Sequence, residues 1–269
     1  MKIAFLGGGN MARALIGGML GKGYDRSSIC VIEVSTPARE RLASELGVHV
    51  SAAPDARTNA ADVLVLAVKP QDMRGALEGL SGLDQKLVIS IAAGVRVDAL
   101  SRWLQGHRKL VRCMPNTPAL IGEGIAALYA LPEVSAAQRQ QAEGILRAVG
   151  EVVWVADESL LDPVTAVSGS GPAYVFWFIE QLAASGEKLG LPKTTSLKLA
   201  MHTVLGAAKL AAQSDKSPAE LRKQVTSKGG TTEAALNVFE QEKLAERMMK
   251  ALQAASRRGA ALGEELGGD

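Results

Sequence analysis

Residues able to do chemistry gather at three places in this chain of 269 residues. The first is Gly7-Gly8-Gly9-Asn10-Met11-Ala12, which follows one apolar run and opens a helical segment. It fits G-x-G-x-x-A: the first glycine turns tightly, Gly9 lets a pyrophosphate approach the backbone, and Ala12 permits close helix packing. Free N–H groups and the dipole at such a terminus favour an anion, so a dinucleotide is expected there. Which dinucleotide turns on the end of the next strand. Glu33, 21 residues after Ala12, suits a ribose 2′-hydroxyl and NAD, whereas Ser35, Thr36 and Arg39 suit a 2′-phosphate. On these residues alone both readings stand.

The second place is a set of loops that close apolar runs, Ala67-Val68-Lys69-Pro70-Gln71 and Ile91-Ala92-Ala93-Gly94. Ligands in open α/β sheets bind beyond the carboxyl ends of strands, so Val68, Lys69, Pro70 and Ala93 are expected cofactor walls. Met114-Pro115-Asn116-Thr117-Pro118 would form a stiff polar loop at the same edge. The third place is Val225-Thr226-Ser227-Lys228-Gly229-Gly230-Thr231-Thr232-Glu233, entering a helix. Two glycines and two threonines at a helix N-terminus can build a carboxylate-binding nest without a dedicated arginine; a plain Gly-Gly turn with a threonine cap is the alternative. His49, His107 and His202 have no metal-ligand spacing, and neither Cys30 nor Cys113 has a partner motif, so no metal site is expected. There is no nucleophile elbow.

These places need elements to hold them. Val/Ile/Leu-rich runs at 2–6, 29–34, 63–68, 87–92, 109–113 and 151–155 alternate with helical segments, which implies βαβ units and a mostly parallel, doubly wound sheet of Rossmann type. After Trp154 helical spacing takes over. Asp162-Pro163 and Ser217-Pro218-Ala219-Glu220 are expected helix starts. The expected domains are therefore 1–160, binding the dinucleotide, and 161–269, all-α, with only the Gly-Glu-Glu-Leu-Gly-Gly-Asp tail frayed. Ala173-Tyr174-Val175-Phe176-Trp177-Phe178-Ile179 is apolar all round, and a subunit interface is the economical cover for it.

Composition agrees. Hydrophobic residues make up 47% and charged residues 22%, enough for a sizeable core and against disorder. Thirty Lys and Arg against 28 Asp and Glu give a net charge of +2, no footprint for nucleic acid or an anionic membrane. Lys2 runs straight into an apolar strand, so neither a signal peptide nor a membrane span is expected, and reduced buried thiols point to the cytoplasm.

In this order the motifs resemble the pyrroline-5-carboxylate reductases. The likeness rests on Phe5-Leu6-Gly7-Gly8-Gly9-Asn10-Met11, Ala67-Val68-Lys69-Pro70, Ser90-Ile91-Ala92-Ala93-Gly94-Val95, Met114-Pro115-Asn116-Thr117-Pro118, Val167-Ser168-Gly169-Ser170-Gly171-Pro172-Ala173-Tyr174 and Ser227-Lys228-Gly229-Gly230-Thr231-Thr232, and spans nearly the whole chain. Lys228 departs from it, since the family usually has proline there. The resemblance implies reduction of the cyclic imine 1-pyrroline-5-carboxylate to L-proline by hydride from NADPH, with NADH admitted. It further implies a homodimer through the helical domain and larger rings such as a decamer. It puts the product carboxylate on Gly229, Gly230, Thr231 and Thr232, with the Thr232 hydroxyl near the ring nitrogen as the catalytic group. Gly7, Gly8, Gly9, Asn10, Met11, Ser35, Val68, Lys69, Pro70 and Ala93 would line the cofactor. An imine that arrives protonated needs little general acid, which suits a chain without an obvious catalytic His or Lys. A β-hydroxyacid dehydrogenase would need Lys and Asn where Val175 and Ile179 stand. A non-catalytic dinucleotide-binding protein is the other alternative.

Overall fold

The computed structural model describes residues 1–268. Eight strands form one sheet in the order β3-β2-β1-β4-β5-β6-β7-β8. They are β1 (Ile3–Leu6), β2 (Ile29–Ile32), β3 (His49–Ser51), β4 (Val63–Leu66), β5 (Leu87–Ser90), β6 (Leu110–Met114), β7 (Gly124–Ala130) and β8 (Gly150–Trp154). Strands β1 to β6 are parallel; β7 runs antiparallel to β6, and β8 runs parallel to β7. The order reverses between β1 and β4, so the crevice beyond their carboxyl ends is the switch point at which such sheets bind ligands.

Helices α1 (Asn10–Gly21), α2 (Thr36–Leu46), α3 (Ala56–Asn59), α4 (Met73–Leu77), α5 (Val97–Trp103) and α6 (Ala136–Leu146) cover the sheet. Strand side chains alternate between two cores. Ile3, Phe5, Val63 and Val65 join Leu15, Ile16, Leu42 and Ile145 in one. Ala4, Leu6, Leu64 and Leu66 join Met73, Leu77, Leu100 and Leu104 in the other. A parallel sheet buried on both faces needs these near-continuous apolar runs, which is why they stand out in the sequence.

The rest is helical: α7 (Leu161–Val164), α8 (Gly171–Lys188), α9 (Lys193–Gln213), α10 (Pro218–Gln224), α11 (Thr231–Gln241) and α12 (Leu244–Gly267), with a π-helical turn over Thr165–Gly169. Ser217 and Glu220 form the expected capping box of α10, with Pro218 at its first position. Asp162, in contrast, lies inside α7 and does not cap it, because its carboxylate takes a hydrogen bond from Arg96 Nη2 at 2.9 Å.

The chain divides into two compact units, Met1–Ser170 together with the chain from Gln253 onward, and Gly171–Leu252. The second half of α12 thus belongs with the sheet. Its tail is not frayed: Arg102 Nη2 donates to the Gly267 carbonyl at 2.6 Å, and Leu262 and Leu266 pack over Gly94. Asp269, the last tail residue, lies outside the described residues. In the second unit, α8 packs on α9 through small residues, with Gly186 against Ser196 and with Ala183 and Ala200 buried. The outer face of α8 carries Phe176, Trp177 and Phe178, which are 65%, 60% and 45% exposed in the single chain. That is the face a partner must cover.

Candidate active site

The glycine turn after β1 is built for close approach. Gly7 takes φ +97, and its amide donates to the Ile32 carbonyl at 2.8 Å. A Cβ at Gly7 would meet the Ala67 carbonyl oxygen at 2.8 Å, so the turn lies directly on the loop that follows β4. A Cβ at Gly8 would overlap Leu42. Gly9, the N-cap of α1, differs: a Cβ there would meet nothing within 4 Å. No packing within the chain requires a glycine at position 9, and the exposed space above it is open. The first turn of α1 has no acidic residue and no side-chain cap, so its amides remain available to an anion. The arrangement fits the pyrophosphate of a dinucleotide.

The other cofactor-side residues of the first unit lie along the same sheet edge. Ala67 and Val68 flank Gly7, and Lys69 is an exposed N-cap to the turn Pro70–Asp72. Ala93 sits half-buried beyond β5, just before Gly94 at φ +78. The loop continues into Arg96, which is braced from α7. Desolvation opposes its charge, but the Asp162 carboxylate, with Glu158 and Asp98 nearby, more than offsets this and raises its pKa. Next to it, the buried Arg112 donates to Glu158 Oε1 at 2.8 Å, and the same oxygen accepts from the Val97 amide at the start of α5. Asn116 is buried as well, and its Oδ1 accepts from the Ile125 amide at 3.0 Å. It shapes the loop after β6.

At the end of β2 the side chains are differently employed than their types suggest. Glu33 Oε2 accepts from the Gly8 amide at 2.9 Å, and Oε1 accepts from the Ser35 amide at 2.8 Å. Arg39 Nη1 donates to the Glu33 and Val34 carbonyls, and Nη2 donates to Thr36 Oγ1, each at 2.8 Å. Arg39 therefore holds the turn from below. Ser35, the N-cap of α2, makes no cap hydrogen bond and is exposed.

In the second unit, Ser227 to Gly230 make a tight turn between α10 and α11. Gly229 takes φ +73, whereas Gly230 is extended at φ −86 and caps α11. Both glycine amides are used within the turn: Gly230 donates to the Ser227 carbonyl at 3.0 Å, and Gly229 to Glu233 Oε2 at 2.7 Å. The donors left over are the Thr231, Thr232 and Glu233 amides and the two threonine hydroxyls, none of which has a hydrogen-bond partner among the described residues. Thr232 is half-buried, Thr231 exposed, and Lys228 stands exposed at the head of the turn. A helix N-terminus with three free amides and two hydroxyls suits a carboxylate.

Comparison with known proteins decides the family. Residues 158–262 match the family described as pyrroline-5-carboxylate reductase dimerisation, and residues 2–94 the family described as NADP oxidoreductase, coenzyme F420-dependent. A pyrroline-5-carboxylate reductase of Pseudomonas aeruginosa is 45% identical, covering 99% of this chain and 98% of that one. The chain belongs to the pyrroline-5-carboxylate reductase family. A solved family structure from Coxiella burnetii is 42% identical with a TM-score of 0.92, covering 97% of this chain and 98% of its own. One from Plasmodium falciparum, described with NADP bound, is 29% identical with a TM-score of 0.85, covering 98% of each chain.

As a pyrroline-5-carboxylate reductase, the protein is an oxidoreductase that uses NAD(P)H to reduce pyrroline-5-carboxylate to proline, and its helical region is a dimerisation domain. The exposed aromatics of α8 accord with that. Among the described residues no three His, Cys, Asp or Glu side chains are grouped as metal ligands, and no helix is long and apolar enough to cross a membrane. Burial pushes the Cys30 thiol up to about 11 and the Cys113 thiol up to about 12, which leaves both inert at neutral pH.

Proposed function

We propose that the free amides at the start of α11 hold the carboxylate of 1-pyrroline-5-carboxylate and that Thr232 Oγ1 lies by the ring nitrogen during reduction to L-proline. The observation that carries this reading is the pattern of donors at that turn. The Gly229 and Gly230 amides are used internally, while those of Thr231, Thr232 and Glu233 are unpartnered, at a helix end whose dipole favours an anion. The glycines shape the turn, and the threonines bind. Gly7, Gly8, Gly9, Asn10 and Met11, with Ser35, Val68, Lys69, Pro70 and Ala93, form the dinucleotide site. The dinucleotide, when bound, supplies the hydride that adds to the imine carbon. The protein's own part is to fix the imine by its carboxylate, to hold a hydroxyl at its nitrogen and to keep the two reactants in line.

NADPH is the preferred donor in this reading, with NADH accepted, since the Ser35 and Thr36 hydroxyls face outward at the end of β2. We further propose that the dinucleotide-binding domain covers 1–160 and the substrate-binding and dimerisation domain 161–269. Dimers assemble into larger rings such as a decamer, and the enzyme works in the cytoplasm; the family resemblance supports both.

Thr232→Ala tests the site. It should lower kcat/KM for the imine by about tenfold to a few hundredfold, the scale of one hydrogen bond of ~1.5–3 kcal/mol to a charged group. Cofactor affinity should stay unchanged, and inhibition by L-proline should weaken in parallel with turnover. Normal turnover together with unaltered proline inhibition would move the carboxylate site elsewhere, with the Asn116-Thr117 loop the next place to look.

A further inference from the structure

We infer that Glu33 is the residue that limits discrimination between NADPH and NADH, acting as a fixed negative charge at the carboxyl end of β2. The inference rests on the dinucleotide reading of the glycine turn and deepens it. In a sheet of this topology, the side chain at the end of β2 faces the adenosine ribose, where a carboxylate accepts from a 2′-hydroxyl and repels a 2′-phosphate. A free glutamate could swing aside for the phosphate. Glu33 is tied: its two oxygens accept from the Gly8 and Ser35 amides at 2.9 and 2.8 Å, one on each side of the crevice edge. Hydrogen bonds from backbone amides to a carboxylate are of the stronger, charge-assisted kind, so leaving them costs the glycine turn its anchor.

The nearby cation does not release it. Arg39 is occupied by two carbonyl oxygens and the Thr36 hydroxyl, so a 2′-phosphate must compete with the chain for that guanidinium. What remains for a phosphate is the exposed Ser35 hydroxyl, which caps nothing, and the proton of the Thr36 hydroxyl. The site therefore has donors for a 2′-phosphate and, beside them, an immovable carboxylate that a 2′-hydroxyl would welcome. It accepts both coenzymes with a narrow preference.

The test is direct binding of adenosine 2′,5′-bisphosphate and adenosine 5′-monophosphate by calorimetry, alongside kcat/KM with NADPH and NADH. In the wild type the two nucleotides should bind within about tenfold of each other, the scale on which one unit charge acts near a protein surface. Glu33→Gln removes the charge and keeps one acceptor. It should weaken both nucleotides somewhat yet raise the ratio in favour of the 2′-phosphate about tenfold, in binding and in kcat/KM alike. Glu33→Asp keeps the charge while shortening the tether, and should weaken both without moving the ratio. A ratio unchanged or lowered in Glu33→Gln would make Glu33 a structural tie only and overturn the inference. A wild-type preference for the 2′-phosphate of about a thousandfold or more would overturn it without any variant. Failure of the wild type to bind either nucleotide would overturn the dinucleotide reading itself.

Discussion

Replacing Gly9 by alanine separates what the fold needs from what the cofactor needs. Gly9 has φ −67 and ψ −176, a conformation open to any residue, and an added Cβ would have no neighbour within 4 Å. In the protein alone, alanine loses a few tenths of a kcal/mol as an N-cap and regains a comparable amount by restricting the unfolded chain. Net stability should change by less than about 1 kcal/mol, a few degrees in Tm at most. The cost falls on the ligand. A methyl group in the space above the α1 amides pushes the pyrophosphate off at least one charge-assisted hydrogen bond, worth ~1.5–3 kcal/mol. The Kd for NADPH, followed by fluorescence titration, should rise about tenfold to a hundredfold. Gly8→Ala is the contrasting case, because its Cβ would overlap Leu42; it should destabilise the protein by about 1–3 kcal/mol without any cofactor present. An unaltered Kd in Gly9→Ala would refute the placement of the pyrophosphate at this turn. A large loss of stability would refute the claim that the space is empty for a ligand's sake.

Arg112→Met should destabilise the first unit by about 3–5 kcal/mol in denaturant titration, since it leaves Glu158 half-paired beside a buried site. Trp177→Glu should shed the dimer while the single chain keeps its helical circular dichroism, because Trp177 is exposed in one protomer; light scattering reads the mass. Asp55 caps α3, and the Thr58 amide, with His49, holds its carboxyl below the usual range. The stabilisation is present at neutral pH and lost as pH falls through the depressed folded value. The gap of about 0.5–2 kcal/mol between wild type and Asp55→Ala should therefore shrink towards zero in strong acid. Cys30 and Cys113 should react with a thiol reagent only after unfolding, both being buried with raised pKa values.

How far the sequence speaks depends on whether a signal is local. The glycine turn was readable because a tight turn, a close approach and a helix start each demand a particular small residue at a fixed spacing. Strands β1, β2, β4, β5 and β6 were readable because burial on both faces forces apolar runs. Strand β7 was not. Gly-Ile-Ala-Ala-Leu-Tyr-Ala carries three alanines, good helix formers, and is a strand because antiparallel pairing with β6 and parallel pairing with β8 impose it. The tail around Gly263 and Gly267 reads as frayed by composition, yet these glycines allow α12 to lie close against Arg96 and Ala99. At the sites, residue types were legible but their employment was not. Glu33 and Arg39 are taken up by backbone groups of the turn they sit in, and the amides left free at the substrate turn belong to the threonines rather than the glycines. Hydrogen-bond partners are set by three-dimensional neighbours, which spacing does not encode.

The most direct measurement is a steady-state assay of the purified protein with 1-pyrroline-5-carboxylate and NADPH, following coenzyme oxidation and identifying the product. The account predicts saturable turnover, L-proline formed in equal amount to NADPH oxidised, and competitive inhibition by added L-proline that weakens in Thr232→Ala. Binding of NADPH without turnover, or turnover whose proline inhibition is untouched by Thr232→Ala, would contradict it.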